Sequence, residues 1–418
     1  MSDLTLPQGW KQVTIGEVYR FTHKPKQIRY SEYEQIPFVP MELIPIGRRM
    51  FYDYILKPSS ELTSGTYFEK GDILVSKITP SFENGKQGII EDLPTPFGIA
   101  TTEVIPLQAI AGISDRDFLF YYLLGTNVRY DLASKMEGTT GRQRLGKSTL
   151  EEYPLLFPPL PEQRAIAAAL RAVQDAREAR RRELALERER KAALMEELFT
   201  RGTRGEACKE TEIGRMPQSW DVMRFGNSVD ITKGQVDPKQ EPYKSMLHVG
   251  SENIEAGTGR LLSLKTNGDL KVISGNYLFV EGNVLYSKIR PYMNKVALPS
   301  FSGTCSADMY PLSPHKGKMT REFLFHSILS EAFKVRAISF QDRTGIPKIN
   351  RDQLNSIPLA LPPLEEQQEI AEVLTACDQK IDALEAESAL HDELVRALLE
   401  ELMTGRIRAA FGEEESSA

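Results

Sequence analysis

The stretch Gly141–Ser148 is the part of this sequence that most resembles a cofactor motif, because GRQRLGKS matches the phosphate-loop pattern GxxxxGK(S/T). Such a loop needs a strand before it and a helix after it, so that backbone amides and the helix dipole face the phosphates. Tyr153 and Pro154 follow soon after Lys147 and leave little room for that helix. We therefore predict that this loop binds no nucleotide and that the chain itself binds no cofactor.

The same loop carries three basic residues, Arg142, Arg144 and Lys147, and the corresponding later stretch carries Arg343 and Lys348. Arginine can pair with a guanine edge through two hydrogen bonds, and lysine can neutralise a phosphate. These five residues are therefore candidates for contact with DNA. The alternative is that both are ordinary surface loops with solvated charges.

A second group of basic residues comes directly after a predicted strand in each half of the chain. Lys77 follows the β-rich run that ends at Ser76, and Lys288 and Arg290 follow a similar run later on. Basic side chains at strand ends suit phosphate contacts, so we predict that these three residues also bind DNA. A purely structural turn is an equally good interpretation of both stretches.

The sequence lacks the residues that catalysis or metal binding would need. Cys208, Cys305 and Cys377 are far apart, and the five histidines, from His23 to His391, add no metal-ligand spacing. An Asn/Asp-Pro-Pro-aromatic methyltransferase motif, a glycine-rich cofactor loop and an acidic nuclease cluster are also missing. We therefore predict a non-catalytic chain that holds no metal.

Composition indicates a soluble cytoplasmic protein with an uneven charge. Of the 418 residues, 41% are hydrophobic and 26% are charged, with no signal peptide and no apolar run of about 18 residues. Residues 211–360 hold 19 Lys or Arg against 14 Asp or Glu, whereas residues 365–403 hold 2 against 12. The formal net charge of −6 therefore does not exclude a polyanionic partner for the rest of the chain.

An internal repeat organises all of these residues. Leu6–Trp10 returns as Met216–Trp220, and Phe157–Gln163 returns as Leu361–Gln367. Each copy has a globular part with short β-rich runs and turns, which predicts a mixed α/β (α+β) domain whose strand order the sequence does not specify. Two similar globular parts predict a ligand with two similar halves.

A long helix ends each copy. In the second helix, apolar residues recur in alternating steps of four and three, which is typical of a coiled-coil seam, and the first helix keeps this pattern at its two ends. We predict that the two helices form an antiparallel coiled coil and make the chain a pseudo-two-fold repeat. The expected seam residues are Ile166, Leu170, Val173, Leu194, Leu198, Ile370, Leu374, Ile381, Leu384, Val395, Leu398 and Leu402.

The predicted division of the chain follows from the repeat. It comprises a first globular domain, a first helix, a second globular domain, a second helix and an acidic tail, at 1–155, 156–205, 206–360, 361–410 and 411–418. The first helix also carries a run of arginines from Arg177 to Arg190. These arginines either form a solvated helix face or contact the acidic second helix or a partner subunit.

The order of domain, Pro-Pro-Leu-x-Glu-Gln helix, domain and Pro-Pro-Leu-x-Glu-Gln helix resembles the DNA specificity subunits of type I restriction–modification systems. The resemblance covers essentially the whole chain. It implies two target-recognition domains that each read half of a bipartite site in double-stranded DNA, with the helices fixing the gap. It also implies two adenine-methyltransferase subunits as partners, with restriction subunits joining them in some systems. S-adenosylmethionine and ATP would then bind to those partner subunits.

Two other functions remain open from the sequence. One is a coiled-coil scaffold that links proteins without binding DNA. The other is a specificity subunit of a related bipartite modification system that lacks the ATP-driven motor subunit. Salt-dependent binding to duplex DNA separates the scaffold from both kinds of specificity subunit, because phosphate contacts give a steep dependence on salt.

Overall fold

A computed structural model of the chain describes residues 6–139, 141–340 and 347–409. The acidic tail predicted at 411–418 lies outside the described residues. The chain forms two compact units, which consist of Met1–Arg182 with Glu385–Ala418, and of Glu183–Leu384. Each unit contains one globular region and part of each of two long helices.

Within the described residues, the globular region of the first unit holds twelve strands and four α-helices, and the first long helix follows it. The strands are β1 Lys11–Thr14, β2 Tyr19–Phe21, β3 Gln35–Val39, β4 Ile55–Pro58, β5 Thr66–Glu69, β6 Ile73–Ser76, β7 Gln87–Ile89, β8 Phe97–Ala100, β9 Val104–Ala109, β10 Glu137–Thr139, β11 Arg142–Arg144 and β12 Pro154–Phe157. The helices are α1 Ile15–Val18, α2 Arg116–Leu124, α3 Thr126–Ser134, α4 Lys147–Glu151 and the long helix α5 Leu160–Arg201.

The globular region of the second unit has a closely similar element order and leads into the second long helix. The strands are β13 Cys208–Thr211, β14 Gly214–Pro217, β15 Asp221–Arg224, β16 Val229–Ile231, β17 Leu247–Val249, β18 Lys265–Thr266, β19 Tyr277–Phe279, β20 Val284–Ser287, β21 Val296–Ala297, β22 Gly303–Cys305, β23 Met309–Pro314 and β24 Pro358–Leu361. The helices are α6 Asn267–Leu270, α7 Arg321–Leu329, α8 Glu331–Ser339, α9 Arg351–Ser356 and the long helix α10 Leu364–Met403.

The two four-stranded sheets repeat strand for strand between the units, which confirms the predicted internal repeat and the mixed α/β class. The first unit has four-stranded sheets of order β2-β9-β6-β7 and β4-β3-β8-β5, and the second has β16-β23-β20-β21 and β18-β17-β22-β19. In each unit one pair is parallel, β3 with β8 and β17 with β22, while the other pairs are antiparallel. The central strands β6 and β20 are buried along their whole length, which explains their continuous apolar sequences.

The long helices pack into the globular cores of their units. In the first unit Ile166 and Leu170 of α5 lie in the main core with Phe118 of α2, and all three are fully buried. In the second unit Ile370 and Leu374 of α10 pack in the same way into the main core. Burying two aliphatic side chains of each helix contributes roughly 1.5–3 kcal/mol per residue to holding the helix on its domain.

The two long helices run antiparallel within each unit, as predicted. In the first unit Arg177 of α5 is 3.5 Å from Asp392 of α10, and one turn later Arg180 is 2.9 Å from Glu387. Residues farther along α5 therefore pair with residues nearer the start of α10, as in an antiparallel pair of helices. Every position of the α10 heptad from Ile370 to Leu402 is buried or half-buried.

In the second unit the seam between the helices includes a buried charge. Glu187 of α5 is 4% exposed, and its carboxylate lies 3.2 Å from Lys380 of α10 and 2.6 Å from Arg190. Burial alone would raise the pKa of Glu187, but the hydrogen bonds from Arg190 and Lys380 hold it below its usual range. The arginine run thus pairs with acidic residues on both helices.

Candidate nucleic-acid interface

The glutamate of the doubled Pro-Pro-Leu-x-Glu-Gln motif is an anchor buried between each long helix and its domain. Glu162 is fully buried and accepts a hydrogen bond of 3.0 Å from Trp10 Nε1. Glu366 does the same for Trp220 Nε1 at 2.9 Å, and its other oxygen accepts a bond from the backbone N–H of Thr203. The repeated tryptophans therefore lie in the domain cores, where they fix the start of a helix.

The glutamine of the motif connects the helix start to the loop before the next helix of the domain. Gln163 Oε1 accepts from the backbone N–H of Asp115 at 2.8 Å, and its Nε2 donates to the carbonyl of Pro158. Gln367 makes the same pair of bonds with Thr320 and Pro362. Asp115 and Thr320 in turn cap α2 and α7, so one side chain sets the angle between two helices.

The two groups of basic residues predicted from the sequence lie side by side in the first unit. The backbone N–H of Leu145 donates to the carbonyl of Lys77 at 2.8 Å, and the N–H of Thr79 donates to the carbonyl of Gln143 at 3.0 Å. Ile78 and Arg144 form a β-bridge between the two stretches. Lys77, Arg142, Arg144 and Lys147 therefore lie on neighbouring stretches of the chain, and we call them the first basic cluster.

The second unit repeats this arrangement with different residues. The N–H of Ile349 donates to the carbonyl of Lys288 at 2.9 Å, and the N–H of Arg290 donates to the carbonyl of Pro347 at 2.7 Å. Lys288, Arg290 and Lys348 form the second basic cluster. Arg343, predicted to join them, lies outside the described residues.

The residues of the two clusters differ in how strongly the protein already holds their charges. Arg144 forms a two-pronged pair with Glu103, at 2.8 and 2.9 Å, and this pairing lowers the pKa of the Glu103 carboxyl. Lys288 is half-buried and donates to the carbonyl of Ala307 at 2.7 Å.

The side chains of Arg142, Lys147, Arg290 and Lys348 are exposed. Arg290 also has a left-handed backbone, with φ of 50°, which is uncommon for a residue other than glycine and holds the end of this loop in a defined turn. These four residues are the better placed for a phosphate or a base edge.

The phosphate-loop pattern supplies one strand of a hairpin, and a short helix does follow it, although the sequence leaves little room for one. Arg142–Arg144, inside the pattern, is strand β11 and pairs antiparallel with β10, and Gly146 leads into the short helix α4. In a phosphate loop the residues between the glycines wrap around the anion with their amides turned inward. An extended strand does not form that cradle.

In the stretch from Arg48 to Tyr54, both arginines form ion pairs within the protein. Arg48 lies 3.8 Å from Glu178 of α5, and Arg49 lies 3.0 Å from Asp117 of α2. The two copies of the repeat differ here, at 48–54 against 261–270, which makes the stretch a candidate for reading different bases. The carboxylates that pair with its arginines lie far along the chain and leave no local signal. Tyr52 and Tyr54 of the same stretch are exposed and half-buried, respectively.

A family model for the type I restriction modification DNA specificity domain matches residues 7–188 and 217–390. The chain belongs to this family. The two matched segments correspond to the two copies of the internal repeat, so the chain carries two specificity domains.

Similar proteins include the type I restriction enzyme EcoDI specificity subunit of Escherichia coli, 33% identical over 49% of this chain and 46% of that protein. The chain thus spans less than half the length of this relative. The MjaVIII specificity subunit of Methanocaldococcus jannaschii is 23% identical over 98% of this chain and 95% of that protein.

Solved structures of the family share the fold. The type I restriction–modification S subunit of M. genitalium aligns with a TM-score of 0.58 and 14% identity, over 96% of this chain and 97% of that chain. A chain from a structure described as explaining complex assembly and conformational transition of the type I system also aligns with a TM-score of 0.58, at 18% identity, over 96% of this chain and all of that chain. Among the described residues, no helix combines the length and apolar composition needed to cross a bilayer.

Proposed function

We propose that this chain reads a bipartite sequence in double-stranded DNA, one half-site with each globular region, as a non-catalytic subunit of a cytoplasmic restriction–modification complex. The observation that carries the proposal is the position of the two basic clusters. Each lies at the end of the central strand of its sheet, β6 or β20, in two domains of one topology. A duplicated domain with a duplicated basic surface suits a ligand with two similar phosphate-lined halves.

The exposed members of the clusters supply the two kinds of contact that DNA recognition needs. Arg142 and Arg290 have the side chain that can bond two acceptors of a guanine edge, and Lys147 and Lys348 can neutralise phosphates. Different residues surround the clusters in the two units, which gives each unit a separate specificity. The charges of Lys77 and Arg144 already interact with the Glu103 carboxylate. We therefore assign these two residues a supporting role beside the four exposed ones.

The partners we propose are two adenine-methyltransferase subunits, with restriction subunits joining in some assemblies. S-adenosylmethionine and ATP would bind to those subunits and not to this chain. One of the structural neighbours comes from work on complex assembly of a type I system, which supports a subunit role for this fold.

The decisive experiment exchanges residues 1–155 for the matching part of a family member with a different target, in cells that express the methyltransferase partner. Methylated adenines are then mapped across the genome. We expect one half of the methylated motif to change and the other half to stay as it was. If both halves change, or neither does, the two domains do not read DNA independently.

A point-variant series tests the basic clusters. We expect Arg142→Ala with Lys147→Ala to weaken DNA binding by the assembled complex. The slope of the logarithm of the binding constant against the logarithm of the salt concentration should fall by about one or two, which corresponds to the loss of one or two phosphate contacts. Lys11→Ala, which removes an exposed lysine on β1, is the matched control. An unaltered salt slope in the double variant would favour the scaffold interpretation of the chain.

A further inference from the structure

We propose that the loop between β3 and β4, residues 40–54, is a positioning element that fixes the angle of the first globular region on α5 and thereby the gap between the half-sites. This inference rests on the proposed function, since only a bipartite reader has a gap to fix. The residues that act are Gly47 and Arg48 on the loop and three side chains of α5. None of them needs to touch DNA.

The tip of the loop is held on the helix by hydrogen bonds shielded from water. Gln174 Nε2 donates to the carbonyl of Gly47 at 2.7 Å, and Arg177 Nη2 donates to the same oxygen at 2.6 Å. Gln174 is 3% exposed and the Arg177 side chain is 13% exposed. Arg48 adds an ion pair with Glu178 at 3.8 Å. Hydrogen bonds are stronger in such a low-dielectric setting than at an open surface.

The base of the loop is held just as firmly on the sheet. The N–H of Gln87 donates to the carbonyl of Pro45, the N–H of Ile89 donates to that of Arg49, and the N–H of Phe51 donates to that of Ile89, at 2.8–3.1 Å. These bonds tie the loop to strand β7, at one edge of the sheet β2-β9-β6-β7. The loop is therefore a short strut between a sheet and a helix.

The strut is a second point of attachment for a domain that is already fixed at the start of α5. Glu162, Gln163 and the core residues Ile166 and Leu170 form the first attachment, and Gln174 and Glu178 lie 4–16 residues farther along, or roughly 6–24 Å at 1.5 Å per residue. A body held at one point of a rod can pivot, whereas a body held at two separated points cannot.

A small pivot would be enough to change the gap. A domain of about 150 residues has a radius of gyration of about 15 Å. A rotation of about 13° therefore moves a point about 15 Å from the pivot by about 3.4 Å, which is one base-pair step. To hold a single gap, the angle between the domain and α5 must vary by less than about 13°, and the strut supplies this restraint.

The second unit uses the same position on its own helix. Arg260, in the loop between β17 and β18, lies 2.5 Å from Asp382 of α10. Asp382 follows Gln367 at the same distance along the chain as Glu178 follows Gln163. Arginine and carboxylate thus recur at one place in both repeats, although the loop sequences around them differ.

The test measures gap selectivity in the assembled methyltransferase complex. Duplexes carry both half-sites at the native gap and at gaps one or two base pairs shorter or longer, and the rate of adenine methylation is measured for each. The variants are Arg48→Ala with Gln174→Ala, the charge reversal Arg48→Glu, and the exchange Arg48→Glu with Glu178→Arg. Arg164→Ala, an exposed arginine of α5, is the control.

We expect the double alanine variant to raise methylation at non-native gaps about tenfold relative to the native gap, a difference of about 1.4 kcal/mol. Arg48→Glu should show a smaller rise, and the charge exchange should reverse it, while the bases of each half-site stay the same. Arg164→Ala should behave as wild type.

An unchanged gap profile in folded variants would overturn the inference, as would a proportional fall in rate at every gap, which indicates a role in stability alone. A wild-type complex without any bipartite target would instead refute the proposed function. Arg48 is largely exposed, so the reversal and the exchange keep the test valid even if the double alanine variant unfolds.

Discussion

Asp72 has a buried carboxyl group that should make the stability of the first unit depend on pH. It is fully buried at the turn before β6, where Oδ2 accepts from the backbone N–H of Glu69 at 2.8 Å. Among the described residues, its Oδ1 has no hydrogen-bond donor. Burial raises the pKa of Asp72 from 3.8 to about 6. The second unit has Asn283 at this place, and its Oδ1 accepts in the same way from the N–H of Val280.

The sign of the effect follows from the raised pKa. Between about pH 4 and pH 6 the folded chain keeps a proton on Asp72 that the unfolded chain has released, so the free energy of unfolding falls as the pH rises through this window. A shift of about two pKa units corresponds to up to about 3 kcal/mol. Above pH 6 the destabilisation caused by the ionised, buried Asp72 is fully present, and near pH 4 it vanishes.

Asp72→Asn removes the buried charge. In the second unit the Asn283 amide donates to the Leu312 carbonyl and to Ser313, whose counterparts in the first unit are Leu107 and Gln108. We therefore expect the free energy of unfolding of the variant to exceed that of wild type by up to about 3 kcal/mol at pH 7, and to equal it near pH 4.

Urea unfolding of the full chain at a series of pH values from about 4.5 to 7.5 measures this difference. Hydrogen exchange at β6 assigns it to the first unit. Asp92→Asn, an exposed aspartate, is the control and should leave the pH profile unchanged. The reciprocal change Asn283→Asp should add a pH dependence in the second unit. A stabilisation by Asp72→Asn that is the same at every pH would refute the argument from charge.

Three further predictions concern the anchor, the spacer and the phosphate-loop pattern. Glu162→Gln should lower the free energy of unfolding by about 1–3 kcal/mol, because it weakens the bond to Trp10 and removes the charge paired with Arg408 at 2.7 Å, and urea unfolding checks this. Glu366→Gln should lower the free energy of unfolding by less, because Arg204 is 3.9 Å from the Glu366 carboxylate. An equal loss of stability in the two variants would contradict the role of the ion pair. Inserting four residues into α5 near Leu184 and four into the facing stretch of α10 adds about 6 Å, so methylome mapping should show both half-sites unchanged and a gap one or two base pairs longer. An unchanged gap in an active complex would mean that the helices do not set the spacing, whereas two-residue insertions should rotate the seam by about 200° and destabilise it. Lys147→Ala should not alter nucleotide binding by the isolated chain in calorimetry, and a loss of such binding would restore the phosphate-loop interpretation.

The sequence predicts the architecture well because the repeat and the heptads are visible in it. The steps of four and three in α10 indicate a seam, and every one of those positions is buried or half-buried. Strand order does not follow from the sequence in the same way. Strands β3 and β8 are parallel neighbours although about sixty residues separate them, and periodicity specifies which face of a strand is apolar but not its partner.

The candidate site could be predicted only in pieces. The basic residues near Lys77 and those near Arg142 are distant in sequence, and backbone hydrogen bonds bring them together. The partner of Arg144 is Glu103, on a turn that carries no recognisable motif. Sequence reasoning therefore identifies basic residues but cannot tell which of them are already neutralised by the protein.

The comparison of the two units separates what holds the domains from what distinguishes them. The Trp–Glu bond and the glutamine bonds to the α2 and α7 caps are the same in both, so the repeated Pro-Pro-Leu-x-Glu-Gln motif fixes the start of the long helix in each unit. The basic clusters and the loops that meet the long helices differ in sequence between the two units. Two domains that share their anchors and differ in these loops can read two unlike half-sites from one kind of scaffold. The motif that marks the family is thus structural, and under the proposed function the specificity would lie in residues outside it.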